Sequence, residues 1–331
     1  MDTNSQASSR TKRPVQPRTS LYNIRWVLAH DPPVVFEDAS REFIELVRER
    51  TDGDVEVTMY TRDEYSERRG GEDISRTELV RALAAGEIEM AHTYVAAMGS
   101  IHERLWALEL PFLFRDYDHA EQVLQGSVAR QLMDELVAKN IRGLTFAYSG
   151  GFRIVPSLER ELRSLEDFAG LSVRTSGNPV PGALYESLGA RAIAAPLEDI
   201  STLSAAGAID AAEITYVRFE SSGLNRLFKT VNQTSHSLFM TMMGVNETFF
   251  RTLPDKHKQA LLDAGTEAGR IERAKALAEE TLTKQRCAEQ GIDIIEMEPG
   301  QRERFQAHAL SIADRLAPRF GQDLVDGIRH S

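Results

Sequence analysis

Apolar positions along this chain fall into short runs that suit strands, separated by longer stretches with the spacing of helices. Residues 22–28 read as a first strand, and a turn follows at Asp31-Pro32-Pro33. Over residues 34–50, Phe36, Ala39, Phe43, Ile44 and Val47 recur near i, i+3/i+4, the spacing of an amphipathic helix. Val55, Val57 and Met59 alternate with polar residues, which predicts a half-buried strand. Residues 60–73 are charged and glycine-containing and read as a surface loop. A helix over 75–85 ends at Gly86, and a short strand follows at 88–92.

The same alternation continues through the middle of the chain. An apolar segment, Leu110-Pro111-Phe112-Leu113-Phe114, leads into an amphipathic helix over 117–138. Strands are predicted at 143–148, 171–175, 192–195 and 209–214, with helices at 180–188, 197–206 and 216–227. Two further strand-like runs cover 229–236 and 238–245. From Leu253-Pro254-Asp255 to Gly291 the pattern is helical over about 35 residues, or roughly 50 Å. That is long for one compact domain: either it lies across two domains, or it splits at Gly265 or Gly269. A last strand at 292–295 and two helices near 299–316 and 318–328 close the chain. The order predicts an α/β fold with mostly parallel sheets.

Composition narrows the reading. The chain has 331 residues, 42% hydrophobic and 27% charged, which suits two ordinary domains with real cores. A net charge of -11 argues against nucleic acid as a partner, because phosphate binding needs a clustered basic surface. Cys287 is the only cysteine, so neither a disulfide nor a cysteine metal site is expected. No run approaches the roughly 18–20 apolar residues of a membrane span. Residues 1–20 are polar, rich in Ser and Arg, and have no apolar segment of the kind a secretory signal carries. They are expected to be a disordered leader.

Candidate chemistry centres on arginine. Arg174 follows an apolar strand run and precedes the turn formers Ser176, Gly177, Asn178 and Pro179, which places it at a strand end. Ligands of open α/β sheets bind at such ends. A guanidinium is always charged and matches a carboxylate with two parallel hydrogen bonds. Arg153 follows Gly150-Gly151, which permit a tight turn or close approach, so the two arginines are placed to grip one carboxylate or two. Glu213, at another strand end, is a candidate to orient an arginine or to accept a ligand hydroxyl or amine. Thr93 and Tyr94 are candidate hydroxyl donors. Sequence motifs of serine hydrolases, zinc proteases, P-loop enzymes and dinucleotide-binding folds are absent. The eight histidines show no metal-ligand spacing, and His236 reads as a hydrogen-bonded structural residue. Neither a cofactor nor a metal is expected.

Taken in order, several segments resemble the DctP-type solute-binding proteins of TRAP transporters. They are residues 109–116 (ELPFLFRD), 151–153, 171–174, 188–190, 207–213 (GAIDAAE), 234–236 and 253–254. The resemblance spans about residues 22–320. It implies no enzyme but a two-lobed, type II-like periplasmic-binding-protein fold with hinge strands and a long helix spanning both lobes. It implies lobe I from 21–148 plus about 237–270, lobe II from 149–236 plus about 271–331, and a shared helix over about 255–290. By resemblance Arg174 grips the carboxylate of a small organic acid and Arg153 assists. Ala29, His30, Asp31 and Tyr94 line the same cleft. The partners implied are TRAP membrane permease subunits, the location is the periplasm, and a monomer is expected.

Two departures from the family pattern stand out. After Glu213 the family typically has Asn-Pro, with the asparagine helping to hold the carboxylate; here Ile214 and Thr215 take those positions. Thr215, Tyr216 or water is expected to compensate. The missing signal peptide motivates a second reading, a ligand sensor of the same fold without transport, cytoplasmic if unexported. A third is an α/β enzyme acting on a carboxylic acid, with Arg174 as clamp and Glu213 or His30 as acid/base. The ligand classes compatible with the pattern are C4-dicarboxylates, keto acids, sugar acids, sialic acid, ectoine-like zwitterions and aromatic acids.

Overall fold

The computed structural model describes residues 20–30, 33 and 36–331. The leader and most of the Asp31–Pro33 turn fall outside the described residues. Among the described residues there are eleven strands: β1 (Tyr22–Leu28), β2 (Val55–Tyr60), β3 (Met90–Tyr94), β4 (Ile141–Ser157), β5 (Ser172–Thr175), β6 (Arg191–Ala194), β7 (Ala211–Ala212), β8 (Ile214–Thr215), β9 (Thr230–Asn232), β10 (Leu238–Asn246) and β11 (Asp293–Ile295). Their main path runs β2-β1-β3-β10-β4-β7-β5-β6, with β8 and β9 also paired to β4 and β11 to β9.

The sheet is mixed rather than mostly parallel. β1 pairs parallel to β2 and β3, and β5 to β6 and β7. β10 runs antiparallel to β3 and β4, and β4 antiparallel to β7, β8 and β9. β4 and β10 therefore join two sheet halves, each built from βα units. This gives the two-lobed α/β architecture that the pattern and the resemblance lead one to expect.

β4 is 17 residues long, where the pattern predicts a strand only over 143–148. The glycines that read as its end instead make a bulge. Tyr148 pairs with Met240 and Gly151 with Phe239, leaving Ser149 and Gly150 between them. Gly150 and Gly151 have φ of +87° and +93°, a region that costs a residue with a Cβ dearly. The strand bends there and continues into the second half of the sheet, carrying Arg153 with it.

Among the described residues, four large hydrophobic clusters form the cores, with a fifth, smaller contact between Phe36 and Val217. One side of the first half holds Leu79, Leu83, Leu105, Leu132 and Met242; the other holds Trp26, Phe43, Val47 and Leu261. The second half is packed around Phe168, Tyr185 and Phe305 on one side and Ile209, Phe219 and Phe228 on the other. The helix Asp255–Glu289 is a single unbroken rod of 35 residues. Leu261, Ala264 and Ala268 bury in the first half, while Cys287 buries in the second. The helix Pro299–Phe320 starts on the second half through Phe305 and Ala309. It ends, with Gln322–Arg329, on the first, through Ala313, Phe320 and Val325.

Smaller elements depart from the pattern for local reasons. Residues 62–68 form a helix, not a loop: Thr61 accepts from Glu64 N–H while the Glu64 carboxylate accepts from Thr61 N–H. The helix predicted over 117–138 breaks at Gly126 into Tyr117–Gln125 and Ser127–Glu135. The strand predicted over 209–214 is interrupted at Glu213, between β7 and β8. That interruption turns the Glu213 side chain into the molecule.

Candidate functional site

A cleft of about 430 Å³ opens between the two sheet halves. Tyr94 at the end of β3, Arg153 in β4, Arg174 in β5 and Glu213 after β7 all line it, so four of the eight residues singled out by sequence converge there. Ile214 lines it as well. The remaining four lie behind its wall. His30 is buried, stacks on Phe36 at 3.7 Å and places Nδ1 2.9 Å from the Tyr94 hydroxyl. Thr93 is buried next to Tyr94. The Thr215 hydroxyl donates to Ser149 O at 2.9 Å, and Tyr216 donates to Gln233 at 3.2 Å. Both hydroxyls thus already have partners away from the space beside Ile214.

The two arginines sit in opposite surroundings. Arg153 is enclosed by carboxylates: Nη2 donates to Glu109 Oε2 at 2.7 Å and Nη1 lies 3.3 Å from Glu213 Oε2. Its guanidinium also lies over the Phe239 ring, 4.0 Å from the centroid. Burial opposes its charge, but Glu213 and Glu109 outweigh burial and hold the group above its usual value. Glu213 in turn accepts from His236, Nε2 to Oε1 at 2.9 Å, and His236 Nδ1 lies 2.9 Å from Thr234 Oγ1. Burial resists the Glu213 charge, yet Arg153 and His236 keep its carboxyl below the ordinary range. Glu109 goes the other way, raised by burial against the pull of Arg153.

Arg174 has no such partner. It is 7% exposed, and its hydrogen bonds go to backbone carbonyls: Nε to Ala195 O at 2.8 Å and Nη1 to Glu213 O at 3.3 Å. Among the described residues no carboxylate pairs with it. Burial pushes its pKa down to about 10; Glu213 opposes the shift, and Arg153 and Arg76 reinforce it. It stays charged at neutral pH. A buried charge without a counter-ion is costly and is ordinarily paired or bound to something. Arg174 is thus a buried cation whose observed hydrogen bonds go to backbone carbonyls alone.

Sequence reading missed several residues of this site. Arg76 caps the cleft wall, with its guanidinium 5.2 Å from the Tyr94 ring; Tyr94 stacks on Phe239 at 4.7 Å, and Phe239 meets Arg153. A column of two stacked rings with a cation at each end thus runs down one side. Arg218, Arg62, Trp106 and Glu198 also line the cleft. Arg76 and Arg62 sit on helices, where nothing in the strand-end argument would select them. Phe239 begins a strand, and its apolar character hid its position under an arginine. Among the described residues no group of three or more His, Cys, Asp or Glu side chains is arranged to hold a metal ion.

The chain has many relatives. Residues 29–318 match the DctP family, described as bacterial extracellular solute-binding protein, family 7. The C4-dicarboxylate-binding periplasmic protein DctP of Rhodobacter capsulatus is 24% identical over 92% of this chain and 88% of its own length. The ectoine-binding periplasmic protein TeaA of Halomonas elongata is 25% identical over 93% and 90%. Among solved structures, a TRAP periplasmic solute-binding protein from Chromohalobacter salexigens with bound D-glucuronate superposes with a TM-score of 0.83. It is 24% identical, over 93% of this chain and 99% of that one. One from Sulfurospirillum deleyianum with bound succinate gives 0.82 at 23% identity, over 94% and 99%. These structures share the fold of this chain.

Proposed function

The chain belongs to the bacterial extracellular solute-binding protein family 7, a family of substrate-binding proteins of TRAP transporters rather than of enzymes, and from this we propose that it captures a small organic acid between its two lobes. The observation that carries the proposal is Arg174, a buried guanidinium that pairs with no carboxylate among the described residues, facing a cleft large enough for a small molecule. The ligand's carboxylate takes the free face of Arg174. Arg153 does not compete for it, since Glu109 and Glu213 already neutralise that charge; it holds Glu213 and, through it, the carbonyl that positions Arg174. Ile214 puts an apolar surface where the family pattern has a polar one, so the ligand presents carbon there.

Lobe I comprises β1, β2, β3 and the first part of β4, with the C-terminal end of β10. Lobe II comprises the rest of β4 with β5 to β9 and β11. On this division the C-terminal residues 313–328 return to lobe I, where the sequence reading assigns them to lobe II, because their apolar side chains pack on Leu105 and Leu132. Closing the lobes removes water from the arginine–carboxylate pair and so strengthens it. The closed, loaded form is then the one handed to a TRAP permease. Relatives named as periplasmic support that compartment. Among the described residues no helix is long and apolar enough to cross a membrane.

A thermal-shift screen against small organic acids tests the reading. A ligand bound only by the folded form raises the melting temperature by mass action, about 2.7 kcal/mol of stabilisation at a hundredfold excess over Kd. One acid class is expected to shift the wild type and not Arg174→Ala. No shift across mono- and dicarboxylates, sugar acids and keto acids would refute the proposal.

A further inference from the structure

At the mouth of the cleft one carboxylate is held by two arginines from the opposite side. Glu198 lies just after β6, in the short turn Leu197–Asp199. Its Oε1 accepts from Arg76 Nη2 at 2.8 Å and from Arg62 Nη2 at 3.1 Å, and its Oε2 accepts from Arg76 Nη1 at 3.3 Å. Arg62 and Arg76 sit on helices between β2 and β3, in the other half of the sheet. All three line the cleft. We propose that Glu198 is a latch: clasped by Arg62 and Arg76, it holds the lobes closed and sets how long a ligand stays inside.

The contact has the features that separate a working ion pair from an incidental one. A solvated surface pair contributes little. Here the two cations are largely withdrawn from water, Arg62 10% and Arg76 18% exposed at the side chain, against 44% for Glu198. Two guanidinia on one carboxylate form a network, and Arg76 is fixed further by the Tyr94 ring. Burial of Glu198 works against its charge, but Arg76 and then Arg62 overcome it and hold the carboxyl down to about 2. Other charged groups facing the cluster are Asp63 and Asp73, each 3.8 Å from Arg62 Nε, and Arg174, which is repelled by Arg76 and attracted by Glu198. The latch thus stays ionised throughout the neutral range, and salt rather than pH is its natural perturbant.

The latch is also joined to the ligand seat. Ala195, three residues before Glu198, accepts the Nε hydrogen bond of Arg174. Drawing Glu198 to Arg76 brings the same turn, and the carbonyl that orients Arg174, to the closed position. A ligand that settles on Arg174 and a latch that settles on Arg76 therefore favour the same state, each adding to the other. Glu198 is a positioning residue on this account; it need not touch the ligand.

The inference rests on the two-lobed binding reading, but its test needs no ligand. Spin labels at Glu67→Cys and Glu186→Cys, exposed sites in the two halves, report the distance between lobes; Cys287 is buried and stays in place. Pulsed dipolar spectroscopy on the ligand-free protein should show a short-distance, closed population. Glu198→Gln should lower the closed-to-open ratio by about three- to tenfold. Arg62→Gln should do so in the same direction, and 0.5 M NaCl should open the wild type while leaving Glu198→Gln unchanged. Superimposable distance distributions for wild type, both variants and high salt would overturn the latch. A latch that opens on mutation in a protein that shifts with no organic acid would count against the proposed ligand alone.

Discussion

Arg174 and Arg153 carry the same side chain on strands β5 and β4, which β7 separates in the sheet, and their surroundings give them different work. Arg153 lies between two buried carboxylates, so its removal would strand both. Arg153→Met should cost the ligand-free protein about 3–5 kcal/mol of stability, the usual penalty for breaking a buried pair from one side. Among the described residues Arg174 answers no carboxylate, and it gives up two hydrogen bonds to carbonyls when replaced, while its buried charge disappears too. Arg174→Met should therefore change stability by no more than about 1 kcal/mol in either direction. Urea titrations of the two variants without ligand check the contrast; equal losses would mean that both arginines are structural. Sequence found both residues because strand ends and turn formers are local signals. It could not find Glu109, Arg76 or Glu198, whose roles depend on which segments meet after folding.

Elements show where local signals sufficed and where they gave out. β1, the helix Arg76–Ala85 with its left-handed Gly86 end, and the helix Asp255–Glu289 follow from periodicity and punctuation. The helix Arg62–Arg68 was legible too, in the Thr61 and Glu64 spacing of a capping box, but its charged composition masked it. β4 was not, because a pair of glycines signals a turn and a bulge alike, and only pairing with β10 decides between them. Gly265 and Gly269 similarly suggested a break in the long helix. They are instead where that helix meets β4: a Cβ at Gly265 would lie 2.8 Å from Leu144 Cβ, and one at Gly269 would overlap the Thr145 side chain. Alanine is the better helix former by about 1 kcal/mol, yet Gly269→Ala should destabilise the protein by about 1–3 kcal/mol through overpacking. A raised melting temperature in that variant would show that the helix and strand can separate at no cost.

Taken as a whole molecule, the two halves are tied together where β4, β10 and the long helix cross, and one acid sits at that crossing. Glu280 accepts from the Tyr117 hydroxyl, which itself accepts from Phe152 N–H beside the β4 bulge. Burial raises its carboxyl from 4.5 to about 7, with Tyr117 and Lys284 opposing the shift. Between those values the folded protein holds a proton that the unfolded chain has lost. The contribution is thus complete below about 4.5 and disappears as pH rises through 7, worth on the order of 1–3 kcal/mol. Glu280→Gln should flatten the fall in stability between pH 5 and pH 8, measured by chemical denaturation at each pH. An identical pH profile in that variant would assign the slope to other groups.

The central claim is that Arg174 receives the carboxylate of a small organic acid, and calorimetric titration of the acid found by thermal shift addresses it most directly. Wild type, Arg174→Ala and Arg153→Lys would be titrated side by side at fixed pH and salt. A desolvated carboxylate left without its arginine loses on the order of 2–5 kcal/mol, so Arg174→Ala should weaken binding by about thirtyfold or more while the protein stays folded. Unchanged affinity in a folded Arg174→Ala protein would contradict the account and move the ligand to another part of the cleft.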